Sequence, residues 1–268
     1  MERTIPLISH ESPLSILNES KKYNDYDYIL VHLLELHEEY LNYCIQSKKE
    51  GRMSIMDTSI FELGKAFDHA KYADWVKRLQ PTEYILPDVL EEYKDTISSS
   101  RSFKEKYKLE GIQIGVVQGK TFEELRDCYI ALDKDLDVHK IAFSFDYHFF
   151  TEYFPHPNKW VSFMIGRVRL INELINLNII NKSKPHHLLG CSNPLEFSFY
   201  KHSDYNFIKT IDTSSPVVHG LKGIAYNESI GDWVKESAKL ADLISSVVGF
   251  EQMQSIIHNV NKFRKYVH

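Results

Sequence analysis

The sequence predicts an α/β fold, a (β/α)8 barrel with C-terminal helices, on three observations. Eight short apolar runs, most of them β-branched, are spread from one end of the chain to the other. Longer segments with apolar spacing near 3.6 lie between them. The 268 residues, 43% of them hydrophobic, suffice for one large core. Strands that alternate with helices require parallel pairing and right-handed crossovers, and eight such units favour a closed barrel over an open sheet. No low-complexity linker or internal repeat interrupts the pattern, so residues 1–268 read as a single barrel domain.

The strand candidates are TIPLIS (4–9), YDYILVHLL (26–34), MSIMDTS (53–59), EYILPDVL (83–90), GIQIGVVQG (111–119), HKIAFSFDY (139–147), HHLLGCS (186–192) and FIKTIDTS (207–214). Helical spacing marks 61–80, 121–135 and 160–177 between them. Thr121 followed by Glu124 has the spacing of a capping box and places a helix start directly after the fifth strand. Residues 231–268 read as two helices, the last with a basic end.

The net charge of −5 excludes a polycation, so any nucleic-acid binding needs a local basic surface. Cys44, Cys128 and Cys191 are an odd, scattered set without a C-x-x-C pair. That pattern speaks against a disulfide framework and a cysteine zinc site and suits a reducing cytoplasm. The N-terminal MERTIPLISHESPL lacks the basic start followed by an apolar stretch of a signal peptide, and no apolar run approaches the roughly 20 residues that span a bilayer. A cytoplasmic protein with no membrane partner is expected.

In such a barrel, chemistry collects at the C-terminal ends of the strands. Those positions hold Asp57-Thr58-Ser59, Asp88, Gln118-Gly119, Ser144 with Asp146, Gly190-Cys191-Ser192 and Asp212-Thr213-Ser214. Several carboxylates at one mouth suit acid–base or covalent carboxylate chemistry at a sugar carbon. Asp-Thr and Asp-Ser after a strand also serve as ordinary helix N-caps. The matched D-T-S tripeptides at 57 and 212 shift the balance toward function. His186-His187, and His148 with His156, lack the H-x-x-x-H spacing of helical metal ligands and read as structural or surface residues. Cys191 has no visible base and reads as a small packing residue.

From about residue 53 to 220 these segments resemble the tRNA-guanine transglycosylases, and more closely their DNA-acting relatives, which insert 7-deazaguanine bases into phage and bacterial DNA. GIQIGVVQGKTFEELR (111–126) resembles the family's G-I-V-Q-G strand end, the most specific match. HHLLGCSNPLEF (186–197) resembles Y-L-M-G-V-G-T-P-E-D-L, SIMDTSIFELG (54–64) the strand with the D-S-G-G aspartate, and FIKTIDTSSPVVHG (207–220) the segment with the nucleophilic F-D-C-V-M-P-T-R aspartate. By position the resemblance implies Asp212 as nucleophile and Asp57 as general acid–base. It implies base binding by Asp88, Gln118 and Gly119. The sixth strand departs from the family: IAFSFDY stands in place of G-G-L-A-V-G-E, which leaves Ser144 as the base-binding candidate there. The tRNA enzymes' C-x-C-x-x-C zinc site has no counterpart, since no cysteine follows Asp212, and SSPVVHG replaces their T-R-N-A-R-N-G run. The zinc-free form fits a phage-type DNA enzyme better than a tRNA enzyme.

The resemblance thus implies exchange of guanine in DNA for a 7-deazaguanine, the second substrate, through a covalent aspartyl–sugar intermediate. No metal or cofactor is implied, because an ionised carboxylate is itself the nucleophile. A zinc-free tRNA enzyme and a non-catalytic nucleic-acid-binding barrel subunit are the alternatives, and a homodimer is compatible with either. Phosphate contacts are expected from the basic, aromatic-flanked runs 21–26, 71–78, 100–108 and 262–268, each of which also reads as a solvated helix face.

Overall fold

The computed structural model describes residues 4–226, 233–236 and 240–268. Its eight strands are β1 (Leu7–Ser9), β2 (Asp27–Leu30), β3 (Ser54–Asp57), β4 (Glu83–Ile85), β5 (Ile112–Val117), β6 (Lys140–Phe143), β7 (His186–Leu188) and β8 (Ile208–Asp212). They form one sheet in the order β1-β8-β7-β6-β5-β4-β3-β2, and the registered pairs are parallel. That is the strand order of the (β/α)8 fold read from the sequence. Every predicted run contains a strand, and each strand is shorter than its run. Beyond most strand ends the apolar run continues into a loop that is still buried.

The chain divides into two compact units. One comprises Met1–Asn24, Ser144–Ser183 and His187–His268; the other comprises Asp25–Phe143 and Lys184–His186. In the first, β8 pairs with β1 in a register that sets Thr210 opposite Leu7 and Asp212 opposite Ser9. Its helix Lys159–Asn176, where helical spacing was read over 160–177, buries Phe163, Met164, Val168, Leu170, Ile171 and Leu174. Helices Ser215–Leu221 and Phe250–Val267 close a further apolar cluster of Ile16, Val217, Leu221, Ile256 and Val260.

In the second unit β2 to β6 are neighbours in sequence order. Two local readings change here. The predicted strand 26–34 ends at Leu30, and Val31–Leu36 is helical. A short apolar run carries no period that separates strand from helix. The predicted helix 61–80 is two helices, Ile60–Leu63 and His69–Leu79. Gly64 ends the first at φ +71°, and the Asp68 carboxylate caps the second by accepting the Lys71 N–H at 2.9 Å. The Thr121 cap forms as predicted, with Oγ1 accepting the Glu124 N–H at 3.2 Å. The Glu124 carboxylate reaches back to the Lys120 N–H, one residue beyond the capping-box position.

Of the two helices expected over 231–268, residues 231–232 and 237–239 lie outside the described residues. The chain is non-helical at 233–236, makes one turn at Leu240–Leu243 and is helical over Phe250–Val267.

Candidate active site

Asp212 is the last residue of β8 and is 5% exposed. Alternation along the strand puts Thr210 on the same side, two residues earlier. His187 of β7 lies between them, with Nδ1 2.8 Å from Thr210 Oγ1 and Nε2 2.9 Å from Asp212 Oδ1. The same Oδ1 accepts the Gly190 backbone N–H at 3.3 Å. An ionised carboxylate only accepts, so His187 presents Nε2–H to it, and the bare Nδ1 then takes the Thr210 O–H. Both contacts fall on Oδ1. Among the described residues Oδ2 has no partner, and it is not one of the fully buried polar atoms, so it keeps access to solvent.

The capping role open to Asp212 in the sequence is filled by its neighbour. The Ser215 N–H donates to Thr213 Oγ1 at 3.1 Å, and Ser214, the N-cap of Ser215–Leu221, makes no side-chain cap bond. A Thr-His-Asp relay also invites a hydroxyl-nucleophile reading. Thr210 is 1% exposed, within the strand and on the far side of His187 from Asp212, so the end that reaches solvent is the carboxylate.

The Gly190 N–H is held in place from behind. Arg167, on the apolar face of helix Lys159–Asn176, is wholly buried and bidentate with Glu196 at 2.6 and 2.9 Å. Its remaining N–H groups donate to the Leu189 and Gly190 carbonyls at 2.7 and 3.0 Å. Gly190 itself sits at φ +62°, and a Cβ there would lie 2.4 Å from the Phe145 ring. Only glycine fits that conformation and that approach. Ser144, half-buried after β6, donates from Oγ to Asp146 at 2.8 Å, while its N–H meets the Tyr147 hydroxyl at 3.0 Å. Cys191 is fully buried and burial pushes its thiol up, the opposite of an activated thiolate.

The second unit holds Asp57, Asp88, Gln118 and Gly119. Asp57 ends β3 and is 8% exposed. Beyond it Ser59 takes φ +59° and is the N-cap of Ile60–Leu63 without a side-chain cap bond. The Thr58 hydroxyl and the His32 Nδ1 are buried without partners among the described residues, and burial lowers the His32 pKa. Asp88 and Gln118 are brought together directly: the Gln118 amide N–H donates to Asp88 Oδ2 at 2.7 Å. The Gln118 carbonyl accepts the Glu91 N–H at 2.8 Å, so both ends of this amide are taken, one by Asp88 and one by the backbone. Asp88 Oδ1 is buried with no partner among the described residues. Burial pushes the Asp88 carboxyl up to about 6, with the Gln118 amide and its own backbone N–H offsetting part of the rise. A Cβ on Gly119 would lie 2.8 Å from Glu124 Cβ and the Leu125 nitrogen, so this glycine lets the following helix start close against the strand end.

His186 and His187 point to opposite sides of β7, as consecutive strand residues must. His186 is committed to the Tyr129 hydroxyl at 3.0 Å and the Lys184 carbonyl at 2.8 Å. Among the described residues no group of three His, Cys, Asp or Glu could hold a metal ion, and no helix is long and apolar enough to cross a membrane. The basic runs are partly spent inside the protein. Lys71 pairs with Glu35, Arg78 stacks on Trp75 at 4.2 Å, and Lys106 lies 5.0 Å from the Tyr107 ring.

Sequence reasoning took His187 for a structural or surface residue and passed over Arg167. The signal for Arg167 was present, since a charged residue inside the apolar face of a helix requires a buried partner. The signal for His187 was only that Thr210 and Asp212 share a strand face. No protein-family model matches the chain, and no curated protein matches it.

Proposed function

We propose that the chain is a base-exchange transglycosylase that replaces guanine in DNA with a 7-deazaguanine through a covalent Asp212–sugar intermediate. The observation that carries this reading is the hold on Asp212: Oδ1 is fixed by His187 and Gly190, and Oδ2 keeps solvent access at the end of a parallel strand. In the proposed reaction Oδ2 bonds to C1′ as the C1′–N9 bond breaks, and the electron pair leaves on guanine N9. The incoming base then attacks C1′ through its own N9, the Oδ2–C1′ bond breaks, and the two inversions retain the β-configuration. Oδ1 becomes the ester carbonyl oxygen between these steps, still facing the same two donors. Those donors bind a carboxylate more strongly than an ester and so favour release of Asp212 in the second step.

The resemblance assigns the proton of the departing and arriving base to Asp57, and the purine edge to Asp88. The raised pKa of Asp88 supports that second role, because a carboxyl near 6 can donate as well as accept. A base inside a duplex must leave the stack to reach such a site, which favours flipping or a single-stranded substrate. The test is incubation of the protein with guanine-labelled duplex DNA, single-stranded DNA and tRNA in the presence of a 7-deazaguanine. Release from DNA is the expected result. Release from tRNA alone would move the reading to a zinc-free tRNA enzyme, and no release from any substrate would overturn it.

A further inference from the structure

Lys235 has no role in the chemistry just described, yet its placement is unusual. Its segment, residues 233–236, is fastened by Trp233. The indole Nε1–H donates to the Ser192 carbonyl at 3.0 Å, and the Trp233 carbonyl accepts from Asn158 Nδ2 at 2.7 Å. The ring stacks on His219 at 4.5 Å and meets Tyr226 edge-on at 4.5 Å. His219 Nε2 lies 3.3 Å from the Val234 carbonyl, and Lys222 pairs with Glu236. The backbone before Lys235 is therefore anchored, and the side chain after it is paired.

From that position the Lys235 ammonium lies 3.5 Å above the Phe145 ring. Phe145 also packs against Gly190, whose N–H holds Asp212. One aromatic ring and one glycine thus separate the cation from the candidate nucleophile. Lys235 is half-buried. Among the described residues its ammonium makes no hydrogen bond and no ion pair; Asp146 and Glu11 act on it only through space. Its Nζ is not one of the fully buried polar atoms, so solvent reaches it. Desolvation pushes its pKa down to about 8. An ammonium has three N–H donors, none of them taken by a described residue, so an anionic ligand oxygen that replaces the solvent there gains a charge-assisted hydrogen bond. The ring beneath contributes attraction but takes none of the donors.

We infer that Lys235 is a phosphate contact, donating to a backbone oxygen of the nucleic-acid strand whose nucleotide is presented to Asp212. This rests on the base-exchange reading for the identity of the strand, and on the geometry around Phe145 for the cation. A phosphodiester oxygen supplies an acceptor in place of water, and the Phe145 ring beneath holds the ammonium in place. Lys235 is a binding residue in this account and takes no part in proton transfer.

The test is equilibrium binding of a guanine-containing single-stranded oligodeoxynucleotide by the full chain between 50 and 200 mM KCl. Each phosphate neutralised on a single strand contributes about 0.7 to the slope of log K against log salt. Lys235→Met and Lys235→Gln are both expected to lose about that much slope, whereas Lys235→Arg keeps the wild-type value. Two neutral variants are used so that a folding defect in one does not decide the result. Unchanged slopes in both would overturn the inference; if the wild type still exchanged base, the proposed function would stand. A Lys235-dependent slope in a protein that exchanges no base would keep the phosphate contact and overturn the function. A wild type that bound no DNA would overturn both.

Discussion

Asp212 and Asp88, one in each compact unit, are both buried carboxylates beyond or at a strand end, and their surroundings treat them in opposite ways. Asp212 has two N–H donors on one oxygen and solvent at the other. Asp88 has one amide donor on one oxygen, no partner for the other among the described residues, and a pKa raised to about 6 by burial. Donors that converge on one oxygen aim a carboxylate and leave its second oxygen available for bond formation. Desolvation instead gives a carboxyl that exchanges its proton near neutral pH. Residue type alone says neither; the neighbours do.

The largest expected break in this comparison is Asp212→Asn. It keeps shape and the Gly190 contact but removes the anionic oxygen, and base exchange should fall by about 10⁴-fold, read as initial rates of label release. The same substitution at Asp88 should leave a measurable rate.

Next comes the support behind Asp212. Arg167→Met strands Glu196 as a buried, unpaired charge and frees the Leu189 and Gly190 carbonyls. Breaking such a pair costs about 3–5 kcal/mol, measurable by urea unfolding.

Asp88 tests the other half. Its folded pKa of about 6 lies above the ordinary 3.8, so folding favours the protonated form. The penalty is absent well below pH 3.8, grows as pH rises toward 6, and is complete above it. Asp88→Asn should therefore gain on the wild type by roughly 2 kcal/mol more at pH 7.5 than at pH 4.5. An equal difference at both pH values would show that burial does not act on this carboxyl.

The smallest expected effect belongs to Thr210→Val, which removes the O–H that fixes the His187 tautomer. A loss of about 1 kcal/mol, near five-fold in kcat with KM unmoved, is expected from one neutral hydrogen bond. Its signature is a shift in the His187 ¹⁵N tautomer pattern, which a purely structural role would not produce.

Much of this was legible in the sequence. The eight parallel strands follow from apolar runs that alternate with helical spacing, and Asp57 and Asp212 fall at the last residues of β3 and β8, as read. The break inside 61–80 was also written there, in Gly64 and in Asp68 with its first-turn partner. What could not be read are contacts between residues far apart in sequence. His187 reaches Asp212 across 25 positions and Arg167 reaches Glu196 across 29. Gln118 shows the same limit: its position at the end of β5 was clear, but only the fold shows that Asp88 and Glu91 take up its amide.

The central claim is that Asp212 forms a bond to the sugar. The direct measurement is to quench the full chain during turnover on guanine-containing single-stranded DNA, digest it, and locate any nucleotide adduct by mass spectrometry. The account predicts a nucleotide ester on the peptide containing Asp212 and none in Asp212→Asn. An adduct on Asp57 or Asp88, or sustained base exchange with no adduct on any residue, would contradict it.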